Sequence, residues 1–237
     1  MHYGIIAAGE GSRLQQEGVL LPKPLVEIEG QPMIGRLINI FVECNAETVN
    51  VIVNEQMTEV QRFLRSLAST LPVPLNIKVK STPSSMHSFA ELSSMIPSTD
   101  RFVLTTVDTI FRAEDFRRYV ESFERNAEAD AYMAVTSHID DEKPLYISTD
   151  EEMNITAFTD SPEPNTRYVS GGIYGFNGKA SEILEECLRE GVSRMRNFQR
   201  RLLTSGLRVK AFDMGKILDV DHASDIEKAD AFLSNGD

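Results

Sequence analysis

The chain has 237 residues and sets 24 Lys plus Arg against 36 Asp plus Glu, a formal charge of −12. That balance disfavours nonspecific nucleic-acid binding, because phosphates repel an acidic surface; a small phosphorylated substrate remains compatible if cations are gathered locally. Two cysteines, Cys44 and Cys187, with no C-x-x-C and no Cys/His cluster, argue against a disulfide scaffold and a zinc site. No apolar run approaches membrane-spanning length. The N-terminus enters a strand directly, without the basic and apolar segments of a signal peptide. A single α/β domain in the cytoplasm, with no membrane or nucleic-acid partner, is therefore expected.

Strand and helix signals alternate along the chain, as they do in a sheet covered by helices. Ile5 to Ala8 is short and apolar enough for a buried strand, and a glycine loop follows. Leu25 to Ile28 is a short extended piece turning at Gly30. Pro32 suits the first turn of a helix that carries Met33, Leu37, Ile38, Ile40 and Phe41 inward. The pattern then predicts a strand over 49–53, a helix over 57–71 and a strand over 75–79. A polar loop over 81–88 and a short helix over 89–95 come next. A strand over 101–107 ends on Asp108; a helix over 113–124 and a strand over 131–136 follow. Residues 140–167 are polar and prolyl, with strand candidates at 145–148 and 155–158, and read as a small antiparallel lobe or lid (roughly 140–170) within the domain. A strand over 171–176, helices over 179–190 and 194–204, and a strand over 207–212 complete the sheet. A terminal helix spans 224–233, with Ser224 as its cap and Asp225 in its first turn. The fold class read from this order is α/β: Rossmann-like, three-layer α/β/α, with a mixed, mostly parallel central sheet.

The stretch from Gly4 to Leu25, GIIAAGEGSRLQQEGVLLPKPL, concentrates the chemistry. Gly9 and Gly11 follow the first strand at once, and a glycine pair there lets a ligand approach the backbone closely. Successive N–H groups of such a loop cradle phosphate oxygens. Arg13 adds a planar fork and Lys23 a compact charge. A Gly-x-Gly turn alone fits a phosphate loop or a plain connection equally well. It is not a dinucleotide fingerprint, since Leu14 stands where a third glycine would, nor a P-loop, since Lys23 is too distant.

Two acidic sites lie further on. Asp108 falls at the carboxyl end of a central strand, where open α/β sheets bind ligands. Charge at the end of an apolar strand is costly unless it caps a helix or binds something. Asp219 and Asp221 lie two apart, so on extended backbone both point to one side. One carboxylate from each site plus substrate phosphates is a set that Mg²⁺ takes. The four histidines show no evident pairing with a carboxylate, and His222 reads as a loop residue.

Gly9-x-Gly11-Ser12-Arg13-Leu14, followed after a loop by Pro22-Lys23-Pro24-Leu25, resembles the signature of the sugar nucleotidyltransferases, and the resemblance extends over nearly the whole chain. It implies transfer of a nucleoside monophosphate from an NTP to a phosphorylated acceptor such as a sugar 1-phosphate, with release of pyrophosphate and with Mg²⁺ as cofactor. Asp108 looks like the first metal aspartate of that family, and Asp219-Val220-Asp221 like the second, either residue being the ligand. Ala8, Gly9, Gly11 and Ser12 would hold the nucleotide, and Ser85 and Ser88 lie where relatives read the base. Arg13 and Lys23 would be the catalytic cations. Ser170-Gly171-Gly172-Ile173-Tyr174 resembles the element that touches the acceptor, with Ser170 replacing an asparagine. Thr159-Asp160-Ser161-Pro162 stands where relatives carry a lysine, so Lys143 or Arg167 would have to substitute. The resemblance also implies a chain confined to the catalytic domain, without the β-helical acyltransferase of bifunctional relatives. These departures leave two alternatives: a cytidylyltransferase acting on a phospho-alcohol such as phosphocholine, or a catalytically impaired nucleotide-binding regulator. A homo-oligomer is left open.

Overall fold

Apolar, β-branched runs form the middle of the sheet because strands covered on both faces must be hydrophobic along their whole length. The computed structural model describes residues 1–97, 100–140, 142–164 and 166–234. Its strands are β1 (His2–Ala7), β2 (Glu27–Ile28), β3 (Gln31–Pro32), β4 (Thr48–Val53), β5 (Leu75–Val79), β6 (Phe102–Thr106), β7 (Thr109–Ile110), β8 (Ala131–Thr136), β9 (Tyr146–Thr149), β10 (Ile155–Thr159), β11 (Tyr168–Phe176), β12 (Val209–Asp213) and β13 (Leu218–Asp219). The helices are α1 (Ser12–Gln16), α2 (Met33–Glu43), α3 (Thr58–Ala68), α4 (Ser85–Ser93), α5 (Ala113–Arg125), α6 (Gly178–Arg189), α7 (Met195–Thr204) and α8 (Ala223–Ser234).

The sheet runs β5-β4-β1-β6-β11-β8-β12. The contacts β5/β4, β4/β1, β1/β6 and β8/β12 are parallel, and β11 runs against its neighbours β6 and β8. A mixed, mostly parallel sheet with helices on both sides is the architecture expected from the sequence. One hydrophobic cluster packs Tyr3, Phe41, Phe116 and Tyr119 on one face, and a second packs Phe89, Phe102, Phe176 and Phe198 on the other.

The site is positioned by a fork along β11. β8 stays on one edge of this strand throughout. On the other edge β6 pairs with residues 173–176 and β9 with Tyr168 and Val169. Residues 170–172 lie at the fork, and the register against β8 shifts between Ser170 and Tyr174. Gly172 has φ +73°, and a Cβ there would stand 2.7 Å from Thr109 Oγ1, so glycine is required at the bend. The antiparallel strands expected over 145–158 exist as β9 and β10, and they are hydrogen bonded into the main sheet through β11. Residues 141 and 165 of that segment lie outside the described residues.

Several boundaries differ from the sequence reading. The stretch 81–88 is not all loop: α4 begins at Ser85, with Ser84 extended before it, and buries Met86, Phe89 and Leu92 on one helical face. Serines are common at helix starts, and their polarity disguised the first turn as loop. Ser224 does not cap the last helix, which already includes Ala223. Asp225 Oδ2 accepts the N–H groups of Asp221 and His222, and Glu17 Oε2 accepts that of Ala223 at 2.7 Å. The two-residue ladder β7/β13 had no sequence signal, being too short for alternation to register.

Candidate nucleotide and acceptor site

The first strand delivers its glycines to the rim of a cavity of about 500 Å³ lined by residues 8–13, Lys23, Asn54, residues 81–85, Ser88, residues 106–108 and Asp221. Gly11 is left-handed at φ 63°, immediately before α1, and a Cβ there would lie 2.7 Å from Lys23 Cβ. Gly9 has no protein atom within 4 Å of its would-be Cβ. Packing therefore explains Gly11, while Gly9 presents bare backbone to the cavity. Lys23 sits on a single 3₁₀ turn, Lys23–Leu25, entered through Pro22 and closed by Leu25 N–H on Pro22 O at 2.8 Å. Pro22 and Pro24 preset φ on either side and so fix where the lysine leaves the backbone.

Lys23 Nζ lies 2.6 Å from Asp108 Oδ2 and 2.7 Å from Asp221 Oδ1, and Arg13 Nη1 donates to Asp221 Oδ2 at 2.9 Å. Thus the three parts of the chain singled out by sequence converge on one network. Burial alone would push the Lys23 ammonium down; Asp108 and Asp221 more than offset it, and its pKa lies above the ordinary lysine value. Burial likewise opposes ionisation of Asp108, but Lys23 and the Thr106 hydroxyl hold its carboxyl below the usual range. The ladder β7/β13 makes this convergence, since Thr109 pairs with Asp219 and Val220 N–H donates to Asp108 O at 3.1 Å.

At the far end of the cavity, Ser85 stands at the first residue of α4, and the buried Ser88 hydroxyl meets Thr82 Oγ1 at 2.6 Å. The sequence reading missed Asn54 as a lining residue. Its side chain donates to Ala8 O at 3.4 Å and accepts from Ser81 Oγ at 3.2 Å, tying the glycine loop to the serine loop. An asparagine directly after an apolar strand was the available signal.

A second cavity of about 220 Å³ shares Thr106, Asp108 and Asp221 with the first and adds Asp219, Ser170, Gly172 and Tyr174. Gly171 lies behind it: a Cβ there would meet Ile217 Cδ1 at 2.3 Å, which is a packing demand of the fork. Burial pushes the Tyr174 hydroxyl up to about 12; the charges of Asp219 and Asp108 add to that, and the Ser170 hydroxyl opposes it. Lys143 lines this cavity and Arg167 does not, being exposed outside it. The sequence reading overlooked Arg196 and Gln199, both lining residues from α7. Arg196 Nη1 donates to Asp160 Oδ1 at 2.6 Å and Nη2 to Lys143 O at 2.9 Å. Arg194, just ahead of α7, holds φ 74° and ψ 135°, a strained conformation for a side-chain-bearing residue. The expectation that no histidine pairs with a carboxylate is also corrected: His222 Nδ1 and Glu17 Oε1 are 2.6 Å apart. That contact raises the His222 pKa and lowers that of Glu17, and it ties the end of α1 to the start of α8.

With this geometry, the profile of the family described as Nucleotidyl transferase matches residues 4–236. The chain belongs to the nucleotidyl transferase family. A curated relative, mannose-1-phosphate guanylyltransferase catalytic subunit beta of Drosophila pseudoobscura pseudoobscura, is 26% identical over 184 residues, 76% of this chain and 49% of that protein. The chain therefore spans about half the length of the curated relative it matches. Among solved structures, a Bacillus anthracis protein described as a candidate glucose-1-phosphate thymidylyltransferase has TM-score 0.83 and 24% identity, covering 100% of this chain and 97% of that one. The inositol-1-phosphate CTP transferase from T. maritima has TM-score 0.80 and 18% identity, covering 99% and 96%. At such identities these likenesses establish the fold of the nucleotidyl transferases for this chain. Among the described residues no helix is long and apolar enough to cross a membrane.

Proposed function

We propose that the chain is an enzyme that transfers a nucleoside monophosphate from an NTP to a phosphorylated small-molecule acceptor and releases pyrophosphate. One observation carries the reading: the glycine-loop cavity and the smaller β11/α7 cavity share Thr106, Asp108 and Asp221 as a common wall. A triphosphate along the loop and an acceptor phosphate in the second cavity would meet at that wall. An acceptor phosphate oxygen attacks the α-phosphorus. The bond from α-phosphorus to the α,β-bridging oxygen breaks, and pyrophosphate leaves with that oxygen and its electron pair. A phosphate monoester has its second pKa near about 6, so the nucleophile is largely ionised at neutral pH and needs no general base. The work of the site is alignment and charge neutralisation.

In this scheme the amides of Gly9, Gly11 and Ser12 with Arg13 hold the departing phosphates, and Ala8, Ser85 and Ser88 face the nucleoside. Lys23 meets the charge that develops on the α-phosphate. Asp108 with Asp219 or Asp221 would hold Mg²⁺, whose bound charge neutralises phosphate oxygens. The donor set fits, because these are hard carboxylate oxygens facing one space, and Lys23 already bridges two of them as a cation. Among the described residues no group of three His, Cys, Asp or Glu is arranged to hold a metal alone, so the remaining ligands would come from substrate. Ser170, Gly172 and Tyr174 face the acceptor. Arg196, braced on Asp160 and the Lys143 carbonyl, takes the place of the missing lysine, and a cytoplasmic setting suits substrates of this kind.

The test is pyrophosphate release over the common NTPs with a panel of sugar 1-phosphates and phosphocholine, with and without Mg²⁺. Turnover with one pair, abolished in Asp108→Ala, is the expected outcome. The absence of a lysine from Thr159–Pro162 keeps a regulatory reading in view. Calorimetric NTP binding without product from any acceptor would favour that reading and overturn the enzymatic one.

A further inference from the structure

The buried face of α7 consists of Met195, Phe198, Gln199 and Leu202, spaced three and four apart. Three of these are apolar, and the fourth is a carboxamide only 1% exposed. An amide placed in an apolar stripe loses its water, a loss offset only by hydrogen bonds made inside the fold.

The other buried amides make such bonds. Asn50 donates to Tyr3 O at 3.2 Å, Asn54 to Ala8 O at 3.4 Å, and Gln61 to Asn54 O at 3.2 Å. Gln199 does not follow them. Its Nε2 donates to Met133 Sδ at 3.9 Å, and a thioether is a weak acceptor. Among the described residues that is the one hydrogen bond of its side chain. Gln199 nevertheless lines the cavity of about 220 Å³. So does Ser170, whose buried Oγ meets no partner at hydrogen-bonding distance and angle among the described residues. Two neutral polar groups on one wall thus keep bonding capacity that a ligand can use.

Their place in the cavity decides which part of a ligand they meet. Thr106, Asp108 and Asp221 belong to both cavities, whereas Gln199, Ser170 and Tyr174 line the smaller and not the larger. Met133, the contact of Gln199, pairs with Tyr174 across β8 and β11, so both side chains leave the sheet on one face. On the transfer reading, which this assignment requires, the acceptor phosphate stands at the shared wall. The rest of the acceptor then extends toward Gln199.

We propose that Gln199 sets acceptor specificity: its carboxamide hydrogen-bonds a free hydroxyl on the body of the acceptor, with Ser170 beside it. A carboxamide both donates and accepts, as a hydroxyl does, so the two are matched in either sense. Phosphocholine offers no such partner. Its body is methylene groups and a quaternary nitrogen without a proton, and seating it would leave the amide unmatched. The site selects a hydroxylated phosphate ester and disfavours phosphocholine.

The experiment is calorimetric titration of the full chain with glucose 1-phosphate, mannose 1-phosphate, inositol 1-phosphate and phosphocholine. Non-hydrolysable analogues of the common NTPs are present in turn. At least one hydroxylated ester should bind wild type about tenfold or more tightly than phosphocholine does. Gln199→Met, close in shape and without the amide, should abolish that preference and leave the affinity for the NTP analogue unchanged. Its Tm should hold or rise, because an apolar side chain suits the stripe and the amide it replaces has one weak bond. Gln199→Leu repeats the measurement with a second apolar shape. No preference in wild type, including no binding of any ester, would overturn the proposal, as would a preference retained in both variants. A lower Tm in both would assign the amide to the fold and overturn it equally. Pyrophosphate release tests the transfer reading separately. Turnover whose acceptor preference is indifferent to Gln199 removes this assignment and leaves the reaction; binding that depends on Gln199 without turnover does the reverse.

Discussion

The proposed nucleotide half and the proposed acceptor half of the site are built in contrasting ways. The phosphate-holding groups proposed for the nucleotide half come from one continuous stretch, residues 8–23, in which glycine turn, short helix and proline-flanked lysine follow each other directly, and Asn54, residues 81–85 and Ser88 complete the cavity wall. The acceptor half is assembled from the fork of β11, the loop at Lys143, the start of α7 and the β13 strand. A local half keeps its pattern because its geometry depends on neighbours in sequence. A composite half takes each side chain from a separate element, as Arg196 does in lining the smaller cavity from α7.

The comparison is broken most severely at the shared wall. Asp108→Asn should lower pyrophosphate-release kcat by on the order of 10³-fold for every acceptor, because both halves lose the carboxylate they share. A fall confined to one acceptor would contradict the common wall. The next largest effect separates the halves. Arg196→Ala should raise the acceptor KM by about 10-fold or more and leave the NTP KM unchanged, consistent with loss of a charge-assisted hydrogen bond of about 1.5–3 kcal/mol. An equal rise in both KM values would place Arg196 in scaffolding alone.

Two glycine substitutions sharpen the contrast within the local half. Gly11→Ala meets both a left-handed φ and Lys23 Cβ at 2.7 Å, and should cost about 1–2 kcal/mol, or several degrees in Tm. Gly9→Ala, with open space around it, should leave Tm unchanged and weaken NTP binding. Thermal melts with and without NTP distinguish the two; a destabilised Gly9→Ala would show that both glycines serve packing.

The smallest effect is electrostatic. Asp108 has a depressed pKa in the fold, so its contribution to stability is present above the unfolded carboxylate value, near 3.8, and is lost as pH falls through the lower folded value. Lys23 has a raised pKa, so its contribution is complete below the unfolded lysine value, near 10.5, and is lost as pH climbs through the higher folded value. Stability from this pair should form a plateau between those limits. In Lys23→Met the alkaline decline should flatten, read as Tm against pH; an unchanged alkaline limb would remove Lys23 from the balance.

The order of the longer strands and helices, the glycine loop with Arg13 and Lys23, and the two acidic stretches were legible in the sequence, because each rests on local periodicity or on spacing within a few residues. Helix starts such as Ser85 were less so, since a serine-rich first turn and a loop share a composition. What tertiary structure alone decided is which distant groups meet. The two-residue β7/β13 ladder draws Asp219 and Asp221 to Asp108, and Lys23 joins Asp108 to Asp221 across 85 and 198 positions of chain. The fork of β11 borders the smaller cavity, and the strained Arg194 precedes the helix that lends it Arg196 and Gln199. Pairings this short and this distant leave no periodic trace, because their free energy comes from contacts that exist only once the sheet has closed.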